Sequence, residues 1–151
     1  MKVLSFSEFY QGHYEDTGFE LYIVKDTEAI PMYIGIARGS VWHRWFEGGT
    51  SHMERDSSGG LYGKSYIGEV IERRFPLSWK WIIELWTKQD CFEICRQELT
   101  GKVSDQVTIE ALEPYFITMY DPLYNVIHGG GRHEDPLTTD RLNKIYRDIF
   151  G

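Results

Sequence analysis

Two runs of β-branched and aromatic residues, each carrying a tyrosine, constrain this chain more than any other feature. From Phe19 to Lys25, Phe19, Leu21 and Ile23 alternate against Glu20 and Tyr22, the period-two pattern of a strand. Met32 to Ala37 is a second such run, opened by Pro31, a residue that a strand tolerates at its start. Asp26-Thr27-Glu28-Ala29 between them reads as a turn. The pair predicts an antiparallel hairpin that holds Tyr22 and Tyr33 at a fixed spacing, one on each strand.

The rest of the chain supplies one more strand and several helices. Trp79, Trp81, Ile83 and Leu85 alternate through Trp86 and predict a third strand with an apolar face. Ser40 suits the N-cap of a short helix through Val41, Trp42, Arg44, Trp45 and Phe46, ended by Gly48-Gly49. Ser65 suits the N-cap of another through Ile67, Val70 and Ile71, stopped by Pro76. Asp90 to Leu99 reads as a helix with Phe92, Cys95 and Leu99 on one side. A further helix starts at Ser104 and runs towards Tyr120; Pro114 either kinks it or separates two segments near Glu113, and Asp121-Pro122 ends it. Leu142, Ile145, Tyr146 and Ile149 form the stripe of a last helix over 137–150, capped by Thr138 or Thr139. Thr50 to Lys64 is a long polar loop, of the kind that is functional or mobile.

These elements predict an α+β fold in one domain spanning 1–151. Its small three-stranded antiparallel sheet is flanked by helices, with a core over about 19–127 and an N-terminal extension, 1–18, on its edge. At 151 residues the chain is long enough to bury a core, and an aromatic share of 15% argues against disorder. No apolar run reaches the length of a membrane span, and the first residues make a poor signal peptide, so no membrane partner and a cytoplasmic location are expected. Cys91 and Cys95 share a helical face; without further ligands nearby they read as two reduced, half-buried thiols rather than a metal site or a disulfide. The His128 and His133 region, near Glu134 and Asp135, reads as a polar turn.

The net charge of −7 argues against nonspecific nucleic-acid binding. Its distribution is uneven: residues 1–35 carry −4, residues 101–151 carry −3, and residues 36–100 balance to zero. That middle stretch is the least repulsive surface for a phosphate backbone, and it holds Arg38, Arg44, Arg55, Lys64, Arg73 and Arg74.

Taken singly, each tyrosine is an ordinary sheet residue and Arg44 an ordinary helix residue. Taken in order, Leu21-Tyr22-Ile23, Tyr33-Ile34-Gly35, Arg44-Trp45, then Leu112-Glu113-Pro114-Tyr115 and Pro122-Leu123-Tyr124-Asn125 form a set of separated motifs. This set resembles the GIY-YIG nuclease family over residues 19–127. Where that family's first motif begins with glycine and isoleucine, this chain has Glu20 and Leu21.

The resemblance implies a GIY-YIG fold and hydrolysis of DNA phosphodiesters with one divalent metal, Mg²⁺ or Mn²⁺. It assigns catalysis to Tyr22, Tyr33, Arg44 and Glu113, with Glu113 as metal ligand. Tyr22 would deprotonate or orient the attacking water, Tyr33 would help place it, and Arg44 would grip a nonbridging oxygen. Glu110, one turn earlier, competes with Glu113 for the carboxylate role. His43, His52 and Lys64 are candidates for catalytic support. Gly35 and Asn125 are structural, and Arg38, Arg55 and Lys64 are the candidate DNA-binding cations. No appended reader is visible, so specificity would come from the loop after Gly48, a dimer or a protein partner. The alternative is a catalytically inactive module of the same fold that binds a nucleic-acid or protein partner.

Overall fold

The structure, a computed structural model, describes residues 1–12, 18–98 and 108–125, with the backbone alone over 95–98. The expected last helix over 137–150, the polar turn around His128 and His133, and the Cys95 side chain lie outside the described residues.

In chain order the elements are β1 (Lys2–Ser5), α1 (Phe6–Gln11), β2 (Leu21–Lys25), β3 (Pro31–Ile36) and α2 (Val41–Phe46). A short ribbon of β4 (Met53–Arg55) and β5 (Leu61–Gly63) follows, then α3 (Tyr66–Arg73) and a 3₁₀ turn (Leu77–Lys80). The last described elements are β6 (Ile82–Trp86), α4 (Lys88–Glu98) and α5 (Ile109–Tyr120). The main sheet is four-stranded, in the order β1-β6-β2-β3, and every pairing is antiparallel.

The α+β class is as expected, but the three-stranded sheet is corrected to four. The extra strand comes from the segment read as an edge extension: Lys2 to Ser5 pairs with Leu85 to Ile82. Four residues are too few to display an alternation, and the chain turns at once into α1. There Ser5 Oγ accepts from Glu8 N at 3.0 Å and Glu8 Oε1 accepts from Ser5 N at 3.1 Å, a reciprocal cap.

The hairpin forms where the two tyrosine runs predict it. Asp26 Oδ1 accepts from the backbone N–H groups of Glu28 and Ile30, both at 2.9 Å, and so closes the turn. Its alternation does not separate core from water, however, because the central strand β2 is buried on both faces. On one face Tyr22, Val24, Tyr33, Ile83 and Leu85 join α1, α2 and α3 in the larger core. On the other, Leu21, Ile23, Ile34 and Trp86 pack with Phe92 of α4 and with Ile109, Leu112, Phe116 and Ile117 of α5.

Three boundaries and one burial differ from the sequence reading. Trp79 belongs to the 3₁₀ turn, and the strand begins only at Ile82, although Trp81, Ile83 and Leu85 do share one core. The helix expected from Asp90 starts at Lys88, because Thr87 Oγ1 accepts from Asp90 N and Asp90 Oδ2 accepts from Thr87 N, both at 3.0 Å. The helix expected from Ser104 begins at Ile109, after Thr108, and continues through Pro114 to Tyr120. Cys91 is fully buried rather than half-buried, inside the apolar packing of the second core. Among the described residues no helix is long and apolar enough to cross a membrane.

The loop from Thr50 to Lys64 is largely built. Asp56 Oδ1 accepts from the N–H groups of Ser58 and Gly60 at 2.9 Å, and Gly59 takes φ +87°, a value that suits glycine. The resulting turn joins β4 to β5 and brings His52 and Ser65 to the same place.

Candidate active site

The register of the hairpin sets the two tyrosines on one face, diagonally: Tyr22 lies opposite Gly35, and Val24 opposite Tyr33. Their rings stack with centroids 6.2 Å apart. The Tyr22 ring lies across Gly35, where an added Cβ would stand 2.3 Å from the phenolic oxygen. Glycine is required at 35 for this reason of space, as its structural assignment anticipates.

β3 is an edge strand, and the segment after α5 closes that edge. Asp121 adopts a left-handed conformation (φ +50°) and turns the chain back. Tyr124 N then donates to Met32 O at 2.9 Å. Asn125 Oδ1 accepts from Ile34 N at 2.8 Å, while its Nδ2 donates to Ile34 O at 2.7 Å. One side-chain amide thus satisfies both backbone groups of the residue next to Tyr33, the tie expected of Asn125.

α2 brings Arg44 to the tyrosines. Ser40 Oγ caps this helix by accepting from His43 N at 3.3 Å. The Arg44 guanidinium donates to Thr50 O and acts electrostatically on the Tyr22 phenol. From the other side of the sheet, α5 packs against β3 and carries Glu113, 8% exposed. Arg44 and Glu113 each act electrostatically on both tyrosines, and Arg44 acts on Glu113. Four elements therefore contribute to one electrostatic cluster. Glu110, the competing carboxylate, points elsewhere and forms an exposed ion pair with Arg38.

Burial dominates the electrostatics. It raises the Tyr22 phenol well above its usual range; the neighbouring Tyr33 adds to the effect and Arg44 opposes it. Burial likewise raises Tyr33, again with Arg44 opposing. The Glu113 carboxyl is pushed up to about 7 by burial, against the attraction of Arg44 and with the repulsion of Glu110. Tyr22 is wholly buried, whereas Tyr33 keeps 5% exposure. Tyr33 is thus the less buried of the two residues.

Of the three candidates for catalytic support, only His52 joins the tyrosines. Its Nε2 lies 2.7 Å from Tyr22 Oη, its Nδ1 lies 2.7 Å from Ser65 Oγ, and the Trp45 ring packs against it at 4.4 Å. His43 is instead half-exposed on α2, with Nδ1 3.0 Å from Glu47. Lys64 Nζ sits 3.5 Å from Glu54 and donates to Gly48 O. Of the candidate DNA-binding cations, Arg38 and Lys64 are therefore paired with carboxylates, and Arg55 lies over the Tyr10 ring.

Ser65 is the residue the sequence reading missed in the site, having assigned it only a capping role. It does cap α3, accepting from Gly68 N at 3.2 Å, but it also anchors His52. The turn signal Asp56-Ser57-Ser58-Gly59-Gly60 between Met53 and Leu61 was the available clue, since a ribbon there places His52 beside Ser65.

Among the described residues no three acidic, imidazole or thiol side chains converge as a metal cage, so Glu113 would hold a cation as a single carboxylate. That fits Mg²⁺ or Mn²⁺, hard ions of which Mg²⁺ is commonly bound through one or two carboxylates while keeping several waters. A nearby divalent charge would also favour the ionised form of a carboxyl that burial has pushed up to about 7. No family model, curated protein or solved structure matches the chain.

Proposed function

We propose that this protein is a metal-dependent endonuclease that hydrolyses DNA phosphodiesters through a site of the GIY-YIG type, on a fold of that type. The observation that carries this reading is the convergence of Tyr22, Tyr33, Arg44 and Glu113 from β2, β3, α2 and α5 into one mutually coupled cluster. Single tyrosines or arginines have structural explanations, but a buried carboxyl pushed up to about 7 beside a guanidinium and two phenols is the kind of perturbed cluster that marks a reactive site.

In this reading Glu113 holds the divalent cation, Mg²⁺ or Mn²⁺. When bound, the cation supplies charge stabilisation at the phosphorus and at the leaving oxygen. Arg44 has five donors in a planar fork, enough to keep Thr50 O and still address a nonbridging phosphate oxygen. Tyr33, the less buried phenol, orients the attacking water through its hydroxyl. Tyr22 is wholly buried, its hydroxyl held by His52. Gly35 leaves space for the Tyr22 ring, and Asn125 fixes the strand that carries Tyr33.

The test is cleavage of supercoiled plasmid and of labelled single-stranded DNA, with Mg²⁺ or with EDTA. Wild-type cleavage should vanish in EDTA and fall by at least about 1,000-fold in Glu113→Ala. Cleavage that survives both would sink the assignment of Glu113.

A second reading is favoured by the ion pairs of Arg38 with Glu110 and of Lys64 with Glu54, which neutralise two of the candidate DNA-binding cations. In that reading the domain is an inactive module that engages a nucleic-acid or protein partner. It predicts no cleavage with any divalent metal, together with retained binding by Glu113→Ala.

A further inference from the structure

Tyr22 is wholly buried, and its hydroxyl lies 2.7 Å from His52 Nε2. A buried hydroxyl proton calls for an acceptor, and the lone pair of His52 Nε2 supplies it. That makes Nε2 an acceptor and puts the imidazole proton on Nδ1, which donates to Ser65 Oγ at 2.7 Å. Ser65 Oγ has a second lone pair, which takes the Gly68 N–H of the α3 cap.

We infer that Ser65 and His52 are positioning residues for Tyr22: a one-way line of hydrogen bonds, Tyr22 to His52 to Ser65, anchors the phenol to the start of α3. The inference rests on the nuclease reading for what Tyr22 does, but not for the hydrogen-bond line itself. His52 needs no proton exchange in this role; it needs only to accept at Nε2 and donate at Nδ1. Its surroundings keep it in place, with Trp45 at 4.4 Å and Tyr33 at 5.3 Å between ring centroids. At the Tyr22 end of the line, Tyr33, Arg44 and Glu113 act electrostatically on the phenol. Burial holds the Tyr22 proton firmly, which suits a fixed donor better than a base.

Two measurements on the full chain test this. In metal-free protein at neutral pH, long-range ¹H–¹⁵N correlation should find His52 as the neutral Nδ1–H tautomer. An Nε2–H tautomer would overturn the proposal whatever the protein cleaves. Ser65→Ala should leave His52 in a mixture of tautomers. Ser65→Asp, which keeps both the cap and an acceptor for Nδ1, should restore the single form, and a mixture there would also count against the line.

In DNA cleavage, His52→Leu should lower kcat by about 100-fold, the scale of a misplaced catalytic group. His52→Gln, whose amide both accepts and donates, should recover most of that loss. If Gln is as poor as Leu, His52 acts by taking a proton and the positioning role falls. If the wild type cleaves nothing while the tautomer is as stated, the nuclease reading falls and the hydrogen-bond line stands.

Discussion

Glu84 and Glu113 are almost equally buried, at 6% and 8% exposure, on opposite sides of a functional divide. Glu84 is enclosed by its own partners. Lys25 Nζ donates to Oε2 at 2.8 Å and Trp86 Nε1 donates to Oε1 at 3.2 Å, so both oxygens are engaged within the second core. Glu113, at a similar depth, is pushed up to about 7, because Arg44 only partly offsets burial and Glu110 works against it. Burial alone therefore does not mark a site. What distinguishes Glu113 is that the fold leaves its charge under-compensated, whereas at Glu84 the same fold completes an ion pair that ties β2 to β6.

The largest effect should come from breaking the completed pair. Glu84→Ala leaves the Lys25 ammonium in a mostly apolar setting and should destabilise the protein by about 3 kcal/mol in urea unfolding. A loss below about 1 kcal/mol would mean that Lys25 simply swings to solvent and that the two carboxylates differ less than argued.

Glu113→Gln should act in the opposite direction, and only over part of the pH range. Its folded-state pKa lies above the unfolded value, so the native state favours the protonated form. That contribution is complete below about pH 4.5 and is lost as pH rises through about 7. Removing the ionisable group should thus stabilise the protein by about 1–3 kcal/mol at pH 8 and have little effect at pH 4. Equal effects at both pH values would show that the carboxyl is not held in this way.

The smallest effect concerns neither carboxylate but the strand beside them. Asn125→Ala removes two hydrogen bonds to Ile34 and should cost about 1–2 kcal/mol. Hydrogen exchange at the Ile34 amide should accelerate more than at Ile23, its partner on the inner strand. Uniform acceleration would assign the loss to global stability instead.

Most of what positions this cluster can be read in the chain, and the failures have physical causes. The hairpin was legible because alternation and a turn residue agree locally. Gly35 and Asn125 were legible through motif order, although their reasons, a ring lying on one and a strand edge closed by the other, needed coordinates. β1 was not legible, because its four residues pair with β6, about 80 positions later, and carry no pattern of their own. The choice among His43, His52 and Lys64 was also closed to sequence. It depends on the β4–β5 ribbon returning His52 to Ser65, a contact over 13 positions that no local propensity encodes. Propensity left a kinked helix or two segments open at Pro114, and α5 runs through it as one helix that carries Glu113 on its way.

The contact between the Tyr22 ring and Gly35 has a consequence for how the hairpin can assemble. A sheet shifted by one residue turns every side chain to the other face. Here such a shift would also set Ile34 or Ile36 where the ring needs bare backbone. The tyrosine thus works as a gauge: misaligned pairings are rejected by collision during folding, and any molecule in which the ring has seated has already aligned the strands that the chemistry requires.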